Sequence, residues 1–194
     1  MVVIRPTASL AKRMKVKLSS SEGVSSTRLG DWYALDIVLN HKQYILCVCE
    51  TGRLSVVIPA APYNNFATRL PDALESLLKK VGVSKANIRE EINEMRSIEI
   101  AKTSSRSLLG SMNDYRFMLE AHLDTGRLNF ANPFELSVYL SETISLAIPE
   151  GYPKEAVLNI FSKSPKLVAV ETQDFLNTAE SAFEKHKNAM TKLK

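Results

Sequence analysis

Residues 102–122, "KTSSRSLLGSMNDYRFMLEAH", combine hydroxyls, cations and an Asn-Asp pair with a helical apolar pattern. The first-turn amides of a helix attract phosphate or carboxylate groups, and Lys102, Arg106 and the hydroxyls would add donors. This reading makes the start of the helix an anion-binding site. In the alternative, one hydroxyl from Thr103, Ser104 or Ser105 caps an ordinary helix, and Arg106 pairs with an acidic neighbour. The pattern favours the ordinary helix and leaves the anion site open.

The predicted helix has one apolar face and two polar flanks. The apolar face is formed by residues three and four positions apart: Leu108, Met112, Tyr115, Leu119 and His122. One flank carries Arg106, Asn113, Phe117 and Glu120, and the other carries Ser107, Ser111 and Asp114. Gly110 costs about 1 kcal/mol relative to alanine in a helix interior, so we expect close packing there.

Catalytic arrangements within this segment are limited by distance. A serine nucleophile needs a base within reach, and His122 lies roughly four turns further along the same helix. A serine–histidine pair within the helix is therefore excluded, although His41 could approach from the predicted sheet. Asp31, Asp114 and Glu120 could converge as paired carboxylates, but no spacing rule requires it. No catalytic residue is assigned.

The run "LGDWYA", residues 29–34, is the second distinctive motif. Gly30 and Asp31 mark a turn into a strand, in which Trp32 and Tyr33 face opposite ways. An aromatic residue in a strand is most often part of the core, whereas the minority reading makes Trp32 a stacking platform for a ring. The candidate ligand-binding residues from the two motifs are Arg106, Ser107, Asn113, Asp114, Asp31 and Trp32.

No metal or cofactor site is expected. Cys47 and Cys49 are separated by one residue, which does not suit an unstrained disulfide, and no histidine has ligand spacing to them. We predict reduced thiols buried in a core strand. The P-loop, dinucleotide, zinc-protease, EF-hand and nucleophile-elbow patterns are absent from the sequence.

The order of elements predicts an α+β fold. The runs "DWYALDIVL", "QYILCVCE" and "RLSVVIP" are separated by very short connections, which favours a central three-stranded antiparallel meander. A strand at "VVIRP" and another at "SIEIAKT" bring the expected sheet to four or five antiparallel strands with helices packed on it. A short helix capped by Thr7 follows the first strand.

Helix boundaries are marked by proline, glycine and serine. Pro71 at a first helical position and Gly82 just past the end predict one helix, and Ser84 begins the next. Further helices are predicted in "NPFELSVYLSETIS" and "PKEAVLNIFSK", and the tail from residue 172 forms an amphipathic helix. We expect a single domain over 1–163 and a C-terminal helical extension over 164–194, through which the chain would form homo-oligomers.

Composition restricts the compartment and the partners. The chain has 194 residues and a net charge of +4, with the excess of lysine and arginine concentrated at its two ends. Such runs are either solvated surfaces or sites for nucleic acid. No apolar run reaches the roughly 18 residues of a membrane helix, and the start lacks the apolar region of a secretory signal. A cytoplasmic location and no membrane partner are expected.

The same motifs, in this order, resemble an uncharacterised family of bacterial proteins known only as a domain of unknown function. The resemblance extends over about residues 1–160, and its most specific parts are "SRSLLGSMNDY" and "LGDWYA". It implies no activity, ligand or catalytic residue. It does imply that the chain is not a divergent member of a familiar enzyme class.

Three functions remain open at this point. The first is a small cytosolic binding or regulatory module with a macromolecular partner, nucleic acid being one candidate. The second is an enzyme of unrecognised type, with an anion-binding pocket at the start of the helix after Thr103. The third is a structural protein that self-assembles through the tail helix.

Overall fold

The computed structural model of the protein describes residues 1–19 and 23–163. Five strands form one sheet: β1 (Val2–Pro6), β2 (Trp32–Leu39), β3 (Lys42–Cys49), β4 (Ser55–Pro59) and β5 (Ile98–Ile100). Six helices accompany them in the described residues: α1 (Ala8–Met14), α2 (Phe66–Val81), α3 (Lys85–Glu94), α4 (Arg106–Asp124), α5 (Pro133–Ser141) and α6 (Pro153–Ser162). The fold is therefore α+β, as the sequence predicts.

The sheet is mixed, with strand order β4-β3-β2-β1-β5. The predicted meander is confirmed, because β2, β3 and β4 pair antiparallel. The expectation of a purely antiparallel sheet is wrong, because β1 pairs parallel with both β2 and β5. Parallel neighbours need long crossovers, and α1 with its following loop provides one between β1 and β2. The chain between β1 and β5 is also long, because it contains the meander and the helices α2 and α3, so these two strands can pair parallel as well.

Both faces of the sheet are covered, which explains why its strands are so apolar. On one face, strand residues such as Tyr33, Leu46 and Val57 share a core with Leu108, Met112, Tyr115 and Leu119 of α4 and Leu136 and Leu140 of α5. The predicted apolar face of α4 is thereby confirmed for its four fully buried positions.

The opposite face of the sheet is packed by α1 and α2. Trp32, Ala34, Cys47 and Cys49 alternate with the residues that face α4, and all four are fully buried. Arg69 of α2 lies close enough to Cys47 to act on its pKa, which places α2 over this face. The two cysteines are free and buried, in agreement with the prediction of reduced thiols in a core strand.

Helix α2 begins earlier than its sequence predicts. It starts at Phe66, so Pro71 lies inside the helix rather than at its first position. Phe66 and Leu70 are fully buried on the same stripe as Leu74 and Leu77, and this burial extends the helix upstream despite the amide that proline lacks. Its end is as predicted, since Gly82 adopts the left-handed conformation at φ 102°.

Residues 1–160 form one compact unit. The predicted tail helix and the self-association assigned to it lie outside the described residues, so both stay predictions. Within 1–19 and 23–163, no helix has the length and apolar character required to cross a membrane.

Candidate functional site

A buried ion pair joins β1 to the turn before β2. Arg5 Nε lies 2.5 Å from Asp31 Oδ2, and both side chains are less than a tenth exposed. Arg5 Nη1 also donates to the Lys102 carbonyl at 2.7 Å, and the Ser25 hydroxyl donates to Asp31 Oδ1 at 2.6 Å. Asp31 is thus held in structural hydrogen bonds that join three segments distant in sequence.

The start of α4 is fixed by the sheet and by its own cap. Ser105 Oγ accepts from the Leu108 amide at 3.2 Å, which selects Ser105 among the three predicted caps. The Tyr33 phenol bonds to the Ser104 hydroxyl at 2.8 Å and accepts from the Ser105 amide at 3.2 Å. These bonds occupy two of the hydroxyls that an anion site would use, those of Ser104 and Ser105.

Two cations remain at this helix start. Lys102 and Arg106 are exposed, and among the described residues neither side chain has an ion pair. The acidic neighbour expected for Arg106 is therefore not found in that part of the chain. An anion here would meet two solvated cations.

Trp32 belongs to the core and cannot act as a stacking platform. Its side chain is fully buried, and its partners in the sheet are Ile4 and Cys49. Because alternate residues of a strand face opposite ways, Trp32 lies on the α1–α2 face while Tyr33 faces α4. Asp31 and Trp32 therefore do not share a pocket with Asp114.

The catalytic combinations considered from the sequence are not assembled. His41 lies in the turn after β2, whereas Tyr33, which bonds to Ser104 and Ser105 before α4, lies near the start of β2. His122 Nδ1 bonds to the Tyr139 hydroxyl. Glu120 pairs loosely with Arg116 at 3.9 Å on the same helix. Within the described residues, no group of three or more His, Cys, Asp or Glu could hold a metal ion.

The polar flank of α4 faces a cavity of about 310 Å³, here called the α4 cavity. Its wall consists of Ser111, Asp114, Tyr115, Met118, Thr143, Ile144, Ser145, Leu146 and Ala147. Asp114 is the one member of the predicted ligand-binding set in this wall. Asn113 is exposed on the other flank, and the Ser107 hydroxyl accepts from Arg53 Nη2 at 3.4 Å.

Tyr115 is the most deeply buried polar side chain in the wall of the α4 cavity. It is 5% exposed, and its hydroxyl has no hydrogen-bond partner among the described residues. Burial raises the pKa of the phenol, and Ser145 opposes this rise without reaching hydrogen-bond geometry. Arg53 also lowers that pKa and Asp114 raises it, so these groups lie near the phenol.

A second concave surface lies between α2 and α3 and is called the basic groove. It has a volume of about 430 Å³ and is formed by Glu75, Lys79, Lys85, Ile88, Arg89, Ile92, Asn93 and Arg96. Lys85, Arg89, Asn93 and Arg96 follow one another at helical spacing, so they share one side of α3 and its C-terminal end.

The carboxylates around the basic groove already have partners. Glu75 pairs with Lys79 at 2.5 Å, Glu90 with Arg28 at 3.0 Å, and Glu94 with the N-terminal ammonium at 3.1 Å. Glu91 is buried, accepts the amides of Arg28 and Leu29, and has a pKa that burial raises.

The cations of α3 are left without such partners. Lys85, Arg89 and Arg96 are exposed and make no ion pair within residues 1–19 and 23–163. The groove is therefore a locally positive surface on a chain whose overall net charge is only +4.

Sequence reasoning missed both concave surfaces, for different reasons. The spacing of Lys85, Arg89 and Arg96 was visible, and a helical wheel of that segment would have found the cationic stripe. The α4 cavity had no comparable signal, because Ser145 meets Tyr115 only through the packing of a loop 30 residues further along the chain.

Sequence comparison places the chain in a family. A family model described as "Domain of unknown function (DUF6933)" matches residues 3–156. The chain belongs to this family. The DUF6933 match confirms the resemblance to an uncharacterised family known as a domain of unknown function. A comparison with curated proteins gives no match.

The DUF6933 region contains every element from β1 to α5 and the start of α6. The α4 cavity and the basic groove both lie within it, as do Arg5 and Asp31. Either concave surface is therefore built from the family domain itself rather than from the chain beyond residue 156.

Proposed function

We propose that this protein is a small cytosolic binding or regulatory module that contacts the phosphate backbone of nucleic acid through the basic groove. One observation carries the proposal: Lys85, Arg89 and Arg96 line a concave surface without ion pairs in the described residues, while the neighbouring carboxylates are paired. Phosphate oxygens are the complementary partner for such a surface, and lysine and arginine supply most backbone contacts.

The positive N-terminal end of α3 also favours a partner that carries phosphate groups. Its first-turn amides carry the positive end of the helix dipole, and Lys85 stands in that turn. Ser84 satisfies the Asn87 amide, which leaves the earlier amides directed out of the helix start. The cytosolic part of the proposal is supported by Cys47 and Cys49, which are both free thiols.

The enzyme alternative has less support. Two of the hydroxyl-bearing residues at the start of α4, Ser104 and Ser105, are engaged in structural bonds with Tyr33, and Asp31 is paired with Arg5. Asp31 and Trp32 are buried away from Asp114, so the pocket that this alternative requires is not formed by the predicted residues.

Fluorescence anisotropy with labelled single-stranded and duplex oligonucleotides over a salt series tests the proposal. Three phosphate contacts predict a slope of log K against log salt of roughly −2 to −3. The triple variant Lys85→Ala, Arg89→Ala, Arg96→Ala should abolish most of this dependence and most of the affinity. Absence of salt-sensitive binding at micromolar protein would refute the proposal.

A matched variant separates the groove from overall charge. Lys12→Ala, Lys42→Ala and Arg127→Ala remove three exposed cations that lie outside the basic groove. We expect this triple variant to bind nearly as well as the natural sequence. Equal loss of affinity in the two triple variants would show that binding follows net charge, and the groove would lose its assigned role.

A further inference from the structure

Among the described residues, the wall of the α4 cavity contains one carboxylate and no cation. Asp114 is the only lysine, arginine, aspartate or glutamate in the wall, and it is exposed without an ion pair within the described residues. Its negative charge is therefore available to a ligand that enters the cavity. The volume of about 310 Å³ lies at the lower end of the roughly 300–1,000 Å³ typical of small-molecule sites.

The Tyr115 hydroxyl supplies a second, independent indication of a ligand. A buried hydroxyl without a partner is unfavourable, and few such groups persist in folded proteins. This hydroxyl belongs to a side chain that is 5% exposed, and it has no hydrogen-bond partner among the described residues. Asp114, Tyr115 and Ser145 all line the α4 cavity, so three oxygen-bearing side chains share its wall.

Apart from Ser111 and Thr143, the remaining wall of the α4 cavity is apolar. Met118 is half-buried, whereas Ile144 is 62% exposed and Leu146 is 99% exposed. Two large exposed apolar side chains in the wall of one cavity offer contact area to an apolar group. The wall thus combines oxygen atoms that can accept hydrogen bonds from a cationic group with apolar side chains that can contact the hydrocarbon part of a ligand.

We propose that the α4 cavity binds a small organic ammonium ion with an apolar body. A primary ammonium group has three donors and no acceptor, which matches acceptor oxygens on Asp114, Tyr115 and Ser145. Its hydrocarbon part packs against Met118, Ile144 and Leu146. The site is separate from the basic groove, since α4 covers one face of the sheet and α2 covers the other.

Arg53 is a cation that acts on the Tyr115 phenol from outside the cavity wall. Its guanidinium donates from Nη1 to the Glu50 carbonyl at 3.1 Å and from Nη2 to the Ser107 hydroxyl at 3.4 Å. These bonds hold the guanidinium outside the cavity, which leaves Asp114 as the charge that a ligand meets first.

The test is a titration of the full chain with hexylammonium, followed by nitrogen–proton NMR. Hexan-1-ol and hexanoate serve as neutral and anionic probes with a matched hydrocarbon. Hexylammonium should shift the backbone amides of residues 143–147, and hexanoate should not. Equal binding of the ammonium and the alcohol would overturn the proposal, because charge recognition would then be absent.

Variants locate the interaction. Asp114→Asn should weaken hexylammonium binding about tenfold, the effect of losing a hydrogen bond to a charged group. Tyr115→Phe keeps the aromatic ring but removes the hydroxyl, and it should also weaken hexylammonium binding. Asp124→Asn removes an exposed carboxylate of the same helix outside the cavity and should leave binding unchanged. Because Asp114 is exposed, its variant is expected to fold, and unchanged binding in it contradicts the proposal.

Discussion

At the scale of single residues, the described domain relies on a buried ion pair between Arg5 and Asp31. Both charges are removed from water, and the cost is offset by the bonds that Arg5 makes to the Lys102 carbonyl and that Asp31 receives from Ser25. A partner removed from such a pair leaves an uncompensated buried charge. The pair therefore matters more for stability than a surface ion pair does.

We predict that Asp31→Asn lowers the free energy of unfolding by about 3–5 kcal/mol, because Arg5 remains buried without its carboxylate. Urea denaturation followed by circular dichroism measures this change. The comparison variant is Asp36→Asn, which breaks the Arg13–Asp36 pair at 3.2 Å, in which Arg13 is 46% exposed. That variant should lose about 1 kcal/mol or less. Similar losses in the two variants would contradict the structural role assigned to Asp31.

At the scale of elements, α4 contains a glycine that its packing does not require. The sequence predicts close packing at Gly110, and the structure corrects this: a Cβ atom built there would have no heavy atom within 4 Å, leaving aside its neighbours in the chain and the backbone of its own helix. Gly110 is also exposed. Steric crowding within the domain therefore does not explain the residue, and α4 carries a helix-weakening glycine on its open side.

We predict that Gly110→Ala raises the free energy of unfolding by about 1 kcal/mol, because alanine restricts the unfolded chain and no contact is lost. Gly30→Ala should instead lower the free energy of unfolding. Gly30 has φ +73°, and a Cβ atom there would lie 3.2 Å from Thr51 Oγ1 and 3.3 Å from Glu50 Cβ. Thermal or urea unfolding of both variants measures these changes in stability. A destabilised Gly110→Ala variant would show that α4 has a packing constraint at this position.

At the scale of the whole molecule, the reactivity of the two thiols measures how often the sheet opens. Cys47 and Cys49 are fully buried in β3, which lies between β2 and β4. Burial raises the pKa of both thiols well above the usual value, and the thiolate is the reactive form. Neither sulfur can meet a reagent unless the layer that covers this face opens.

We predict that a disulfide reagent such as DTNB modifies neither cysteine in the native protein, whereas both react in urea. In subdenaturing urea, the rate should rise in parallel with the equilibrium population of unfolded protein, because global opening is required. Single variants Cys47→Ala and Cys49→Ala assign the two reactions. Rapid modification of either thiol in the absence of urea would show a local opening of β3 and contradict this prediction.

Much of the local structure was predictable. The apolar stripe of α4, a hydroxyl cap within residues 103–105, the start of α3 after Ser84 and the end of α2 at Gly82 depend on residues within a few positions of one another. The β2–β3–β4 meander was equally predictable, because its short turns leave antiparallel pairing as the only geometry. These features require no knowledge of distant segments.

What the sequence determined by itself was therefore periodicity, caps, turns and family membership. Tertiary structure alone decided that β1 pairs parallel on both sides and that α2 continues through Pro71. It also decided that Asp114 shares a cavity with Ser145 and not with Asp31. The physical reason is that local patterns depend on near neighbours, whereas strand order and cavity walls depend on segments that meet only after the chain has folded.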